Sequence, residues 1–213
     1  AVARDVLRLL VRTTGGETVL LPGAAGFEQR DHVVLNPSYY AFPALRALAR
    51  AVPDPLWLRL AGDGIGLLRR ARFGRWGLPP DWVALPRDGS PPVPAAGWPP
   101  RFSYDALRVP LWLGWAGLGG EPAARAAWRF WSDPAHARPP AWVDLLTDAV
   151  ATDPAPAGVR AIGLMVAGAA APEHLRLRQA GSIPAVDQAK DYYEAILNCM
   201  IRLAWQDSPT GIV

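Results

Sequence analysis

Arg101-Phe-Ser-Tyr-Asp-Ala-Leu-Arg-Val-Pro110 is the stretch on which the fold turns. It leaves a loop rich in proline and glycine, residues 87–100, and opens the apolar run Leu111-Trp-Leu-Gly-Trp115. That passage predicts a helix start. Ser103 is placed to be its N-cap, and Asp105 to lie in its first turn, where a carboxylate suits the positive end of the helix. Arg108 follows Asp105 by three residues, so the two share a face. Tyr104 sets a ring with a polar tip beside them. A carboxylate, a guanidinium and a phenol converge at one helix end, next to a loop able to admit a ligand. The plainer reading of these residues is a cap and its ion-pair partner.

Outward from this stretch, the chain reads as helices joined by irregular loops. Residues 1–13 have apolar positions at Val6, Leu9 and Leu10 and read as the end of a helix, the continuation of something earlier. The Gly15-Gly16 pair turns the chain into a strand, Thr18 to Leu21, so a small β-hairpin is expected there. Asn36-Pro37 begins a turn, Pro43 limits how early the next helix starts, and Leu45, Leu48, Ala49 and Val52 supply its apolar face. Asp54 and Pro55 cap and open a helix that reaches Arg72, weakened by Gly62, Gly64 and Gly66.

Downstream, Glu121–Trp131 reads as a helix, Trp142–Val150 as marginally helical and Asp153–Gly158 as a linker. Val159–Ala171 is small and apolar on nearly all sides, the pattern of a buried helix. Pro172–Ala180 reads as a short helix and Asp187–Gln206 as a long one. The apolar side of the long helix is Ala189, Tyr192, Tyr193, Ile196, Leu197, Met200, Leu203 and Ala204. The fold class expected is all-α, with one small β-hairpin insertion.

Composition narrows the function classes. A chain of 213 residues, 51% hydrophobic, is long enough for one domain with a real core. No apolar run reaches membrane-spanning length. The net charge of +3 comes almost wholly from arginines, but these are scattered and no nucleic-acid motif appears. Arg69, Arg70 and Arg72 read as a solvated helix end. The lone Cys199 excludes an intrachain disulfide and reads as a small core residue. His32, His136 and His174 lack ligand spacing, and no phosphate-binding glycine motif opens a helix, so neither a metal nor an organic cofactor is expected. Ten tryptophans are many; most are expected in the core, although an indole face also suits the C–H face of a sugar.

The segment Tyr104-Asp105-Ala106-Leu107-Arg108-Val109-Pro110 resembles the Tyr-Asp-Ala-x-Arg-x-Pro signature of glycoside hydrolase family 8. Asn36-Pro37-Ser38-Tyr39 resembles a second motif of that family. Leu20-Leu-Pro-Gly-Ala-Ala-Gly-Phe27 and Pro80-Asp81-Trp82-Val83 look like segments of its secreted endoglucanases that accompany bacterial cellulose synthases. The resemblance implies part of an (α/α)6 barrel and an endo-β-1,4-glucanase acting with inversion on cellulose-like β-glucan. It makes Asp105 the general base, with Tyr39, Tyr104, Arg108, Asn36 and Ser38 substrate-binding. It also sets one of Tyr192 and Tyr193 in the cleft, which of the two being open. Arg108 beside Asp105 favours the ionised carboxylate that a base requires. Trp82 is expected as buried structure.

The resemblance covers this whole chain, residues 1–213, but only the C-terminal portion of a family member. The general acid is a glutamate from the family's N-terminal half, and none of Glu17, Glu28, Glu121, Glu173 and Glu194 stands in a context resembling it. The partners expected are therefore a β-1,4-glucan, a complementary N-terminal polypeptide and a cellulose synthase complex, with a periplasmic or secreted location. The alternative is a non-catalytic glucan-binding or assembly subunit of a cellulose-producing system. A third reading is an unrelated helical domain in which Asp105 and Arg108 are only a cap and its partner.

Overall fold

Helix α1 (Val2–Leu10) runs straight into strand β1 (Val11–Thr14), which turns through Gly15-Gly16 into β2 (Glu17–Leu20). Thr13 thus belongs to a strand and not to a helix end. The run Val11-Arg12-Thr13-Thr14 is mostly β-branched, which favours the extended form, and Val11 and Thr14 are buried against the core. The computed structural model describes residues 2–168 and 183–207.

β3 (His32–Leu35) leads through a 3-10 turn, Pro37–Tyr39, to α2 (Phe42–Ala51). α3 (Pro55–Arg70) starts where the sequence indicates: Asp54 Oδ1 accepts the Leu56 N–H at 2.9 Å, and Pro55 fills the first position. β4 (Val83–Pro86) pairs antiparallel with β3, Val33 opposite Leu85 and Leu35 opposite Val83, and β5 (Val93–Pro94) adds a short edge. β6 (Arg101–Phe102) precedes α4 (Arg108–Trp115), and α5 (Pro122–Trp131) follows. β7 (Val143–Asp144) pairs with β6. Then come α6 (Gly158–Gly168), a 3-10 turn at Val186–Gln188 and α7 (Tyr192–Asp207).

The chain is helix-rich, but the described residues hold three small antiparallel sheets where the sequence showed a single hairpin. Trp142–Val150 contains no helix, because Asp144 Oδ1 accepts the N–H groups of Leu146 and Thr147 and closes a turn. The last helix begins at Tyr192 and not at Asp187. Asp191 Oδ1 takes the Glu194 N–H at 2.8 Å, while the Glu194 carboxylate takes the Lys190 N–H at 3.0 Å, a reciprocal cap. Its buried face is Glu194, Leu197, Asn198, Ile201 and Ala204. Tyr192, Ile196 and Leu203 are exposed, and so is Cys199, which is not a core residue. The predicted helix Pro172–Ala180 and the end of the predicted Val159–Ala171 helix lie outside the described residues.

α4 is apolar around its circumference and packs against α2, α5, α6 and α7. It joins two buried clusters. Val109 and Leu113 enter the one shared with α2, α3 and the hairpin; Leu107 and Leu111 enter the one shared with α5, α6 and α7. Of the ten tryptophans only Trp57, Trp76 and Trp131 are buried; the others are half-buried at the margins. Among the described residues no helix is long and apolar enough to cross a membrane.

α3 approaches the buried ring of Tyr40 at Gly64, where a Cβ would fall inside the ring's van der Waals surface. Tyr40 cannot yield easily, because its hydroxyl accepts the Leu20 N–H at 3.1 Å. Gly64→Ala gains up to about 1 kcal/mol in helix propensity but overpacks the core at a cost of about 1–3 kcal/mol. A lowered denaturation midpoint is expected in urea unfolding; an unchanged or raised midpoint would contradict this packing.

Candidate active site

The site forms where three chain passages leave the small sheets. The pairing of Leu35 with Val83 sets the segment after β3, Asn36–Tyr39, beside the residues before β4, Asp81 and Trp82. The Asp81 N–H donates to the carbonyl of Arg101 at 2.7 Å, which draws in the end of β6 and the turn that follows it.

That turn carries Tyr104 and Asp105, and it is not built as the spacing predicts. Asp105 precedes α4, which begins at Arg108, and Ser103 makes no side-chain cap. Asp81 supplies the cap from a distance: its Oδ1 accepts the N–H of Ser103 at 3.0 Å and of Ala106 at 2.7 Å. The Ala106 N–H is the donor that Ser103 would otherwise satisfy. Two backbone bonds, Leu107 N–H to Ser103 O at 2.9 Å and Arg108 N–H to Asp105 O at 3.1 Å, complete the turn.

Arg108 and Asp105 do meet. One guanidinium nitrogen, Nη2, donates to Asp105 Oδ1 and to Ser38 Oγ, the latter at 2.8 Å. Ser38 Oγ donates in turn to Asn36 Oδ1 at 2.6 Å, which also takes the Ser38 N–H at 3.0 Å. One turn further along α4, Trp112 donates its indole N–H to the Ser38 carbonyl at 2.8 Å. Asn36 and Ser38 are buried and stand beneath the site, not at its surface. They support it through Arg108 and through the Tyr39 N–H, which donates to the Asn36 carbonyl at 3.0 Å. Tyr39 and Tyr104 are 40% and 49% exposed, so both offer ring faces to a ligand beside the partly open Asp105 carboxylate.

Only one tyrosine of α7 joins this group. Tyr193 donates its hydroxyl proton to the Tyr104 carbonyl at 2.6 Å and meets the Tyr104 ring edge-on, centroids 5.4 Å apart. Tyr192 is 82% exposed and stands outside. Burial raises the Tyr193 phenol above its ordinary range; Arg108 opposes the shift, and the charges of Asp105 and Asp81 add to it. Trp82 is half-buried, not fully buried. It lies stacked between Phe27 and Trp98, at 5.9 and 5.0 Å, with Tyr39 at its edge.

Asp81 is the residue that sequence reasoning missed. Burial, and then the neighbouring charge of Asp105, push its carboxyl up to about 7, against the pull of the two N–H groups and of Arg108. Its partners lie 22 and 25 residues away, so no local spacing announces it. The signals were a lone acid between Pro80 and Trp82 at the mouth of an apolar strand and the resemblance of Pro80-Asp81-Trp82-Val83 to a family segment, neither of which says what the acid does.

Other acids are engaged elsewhere. Glu17 pairs with Arg70, Glu28 with Arg12 and Glu121 with Arg69, while Glu194 accepts the Ala157 and Lys190 N–H groups. Among the described residues none of these glutamates is bonded at Asp105. No group of three or more His, Cys, Asp or Glu residues among them could hold a metal ion.

Ser38→Ala removes the bond that ties Arg108 to the Asn36 turn. A hydrogen bond to a charged group is stronger than a neutral one, but water reaches the quarter-exposed guanidinium, so a loss of about 1–2 kcal/mol is expected in chemical denaturation. A loss within experimental error would mean that Ser38 does not hold Arg108.

This geometry has counterparts among known proteins. The chain is 41% identical over 204 residues to a probable endoglucanase of Novacetimonas hansenii, which covers 96% of this chain and 57% of that protein. Its fold superposes on the solved endo-beta-1,4-glucanase CMCax from Acetobacter xylinum with a TM-score of 0.85 at 40% identity, covering 97% of this chain and 62% of that one. Endoglucanase Cel10 of Klebsiella pneumoniae, a family 8 glycosyl hydrolase, gives 0.83 at 36% identity, covering 97% and 63%. The chain thus spans less than two thirds of the length of these relatives. Residues 4–207 match the family model of Glycosyl hydrolases family 8, nearly the whole of the chain, and the chain belongs to that family.

Proposed function

We propose that this chain forms the base-bearing part of the cleft of an inverting endo-β-1,4-glucanase, within an (α/α)6 barrel. The observation that carries the proposal is a partly exposed carboxylate, Asp105, next in sequence to the exposed Tyr104 and held by Arg108, whose guanidinium lies 5.9 Å from the centre of the exposed Tyr39 ring. Relatives named as endoglucanases support the substrate class.

Inversion needs two carboxyl groups roughly 6.5–9.5 Å apart, one to protonate the leaving oxygen and one to activate water. Asp105 serves as the second. Its free oxygen takes the proton of a water that attacks the anomeric carbon from the face opposite the leaving group. Arg108 fixes the carboxylate, and Asn36 and Ser38 fix Arg108. Tyr39 and Tyr104 bear on the sugar rings, and Tyr193 steadies Tyr104.

The general acid is a glutamate of the N-terminal part that the family has beyond the stretch these 213 residues match, whether that part belongs to the same polypeptide or to a separate one. We further propose a periplasmic or secreted location, where a cellulose synthase complex would bring the enzyme its polymer. The second reading is a non-catalytic glucan-binding or assembly subunit, which would keep the sugar-facing rings without turnover.

Asp105→Asn decides between them. Hydrolysis of carboxymethylcellulose is expected to fall by about 100- to 10,000-fold, the usual worth of a general base, while calorimetric binding of cellohexaose persists. Intact mass of the purified sample should reveal, wherever activity is found, either a second polypeptide or a chain longer than these 213 residues. Binding without turnover in the unaltered protein supports the second reading; neither binding nor turnover removes both.

A further inference from the structure

Asp81 lies under the Asp105 turn with its carboxyl largely withdrawn from water. Its Oδ1 accepts the N–H groups of Ser103 and Ala106, and its own N–H donates to the Arg101 carbonyl. These bonds bracket residues 101–106 and fix the backbone that presents Tyr104 and Asp105. A serine side chain at the start of the turn, or an amide oxygen in place of the carboxylate, could satisfy the same donors without a charge. A carboxylate so near Asp105 is therefore a costlier arrangement than the turn itself requires, because burial and a like charge both oppose its ionisation.

We propose that Asp81 is a positioning residue for Asp105: it holds the turn through two backbone bonds, and by losing its proton it adds a negative charge that favours proton transfer to Asp105. The proposal rests on the reading of Asp105 as the base. Among the described residues, the charged and titratable groups around Asp81 are Asp105 and Arg108, and the Tyr193 phenol, which its charge pushes up. Arg101, joined to Asp81 through its carbonyl, turns its guanidinium over the ring of Trp142 at 3.8 Å.

The direction of the pH effect follows from burial. The Asp81 carboxyl is raised to about 7 from an ordinary value of 3.8, so its proton is retained across the acidic range in the folded protein. The stability it contributes is full below 3.8, declines as pH rises, and is lost by about 7. Over the same interval Asp81 gains a negative charge beside Asp105.

The experiment follows Asp side-chain carboxyls by carbon NMR between about pH 4 and about pH 9, in the unaltered protein, Asp81→Asn and Asp105→Asn. One carboxyl should titrate near 7 in the unaltered protein, vanish in Asp81→Asn, and titrate lower in Asp105→Asn, where the like charge is gone. In parallel, kcat/KM on cellohexaose should show an ionisation near 7 that Asp81→Asn lacks although it keeps both backbone bonds. Asp81→Ala should lose about 100-fold, the order expected when a reacting group is displaced by about 1 Å.

A carboxyl of Asp81 that titrates in the ordinary range, or ignores Asp105→Asn, overturns the charge coupling. An unchanged kcat/KM profile in Asp81→Asn overturns its role in proton transfer. Absence of hydrolysis in every form, with the acid-bearing N-terminal part present, overturns that role together with the reading of Asp105. The NMR titration identifies that case, because the coupled carboxyl is then still seen.

Discussion

One guanidinium nitrogen of Arg108 joins Asp105, three residues away on its own segment, to Ser38, 70 residues away. Without that bridge the turn after β3 and the turn before α4 would share only packing contacts. With it, the orientation of Asp105 depends on Asn36, Ser38 and the strand pairing that delivers them. A guanidinium suits the position because its donors are fixed in a plane and can serve two acceptors at once. Being partly covered, the bond to Asp105 is less exposed to competing water than a surface ion pair.

The scaffold under the site has two kinds of rigidity. α4, apolar beyond its first residue Arg108, cannot move without disturbing both buried clusters, and Arg108 and Trp112 on it grip the Asn36–Tyr39 turn from one face. The small sheets act as local clamps. β3 with β4, and β6 with β7, are too short to add much stability alone, yet each fixes the register of a segment that carries a site residue. The two clamps are linked by the bond from the Asp81 N–H to the Arg101 carbonyl. Half-buried tryptophans at the margins of the clusters, Trp82 among them, leave aromatic surface beside Tyr39 that a fully packed core would have hidden.

Much of this was legible in the residues. The cap at Asp54, the starts of α2 and α3 and the hairpin at Gly15-Gly16 follow from local chemistry, because a side-chain cap, a proline-fixed φ or a glycine with positive φ acts within a few residues. The pairing of Asp105 with Arg108 was legible for the same reason. Less so were β4 and β7, since short strands take their stability from a partner elsewhere in the chain. The rotation of α7, which buries Glu194 and Asn198 and exposes Tyr192, was hidden because a reciprocal polar cap and a neighbouring loop outweigh the apolar count on its faces.

The sequence by itself determined the helix-rich character, the family to which the chain belongs, and the segment in which a carboxylate, a guanidinium and a phenol come together. Tertiary structure alone decided which tyrosine of α7 reaches that segment, that Asn36 and Ser38 act from beneath it, and that its turn is capped by Asp81 and not by Ser103. The division has a physical cause. Backbone propensities and bonds between near neighbours are written in consecutive residues, whereas burial, and the charge coupling that burial strengthens, exist only once distant segments exclude water from one another.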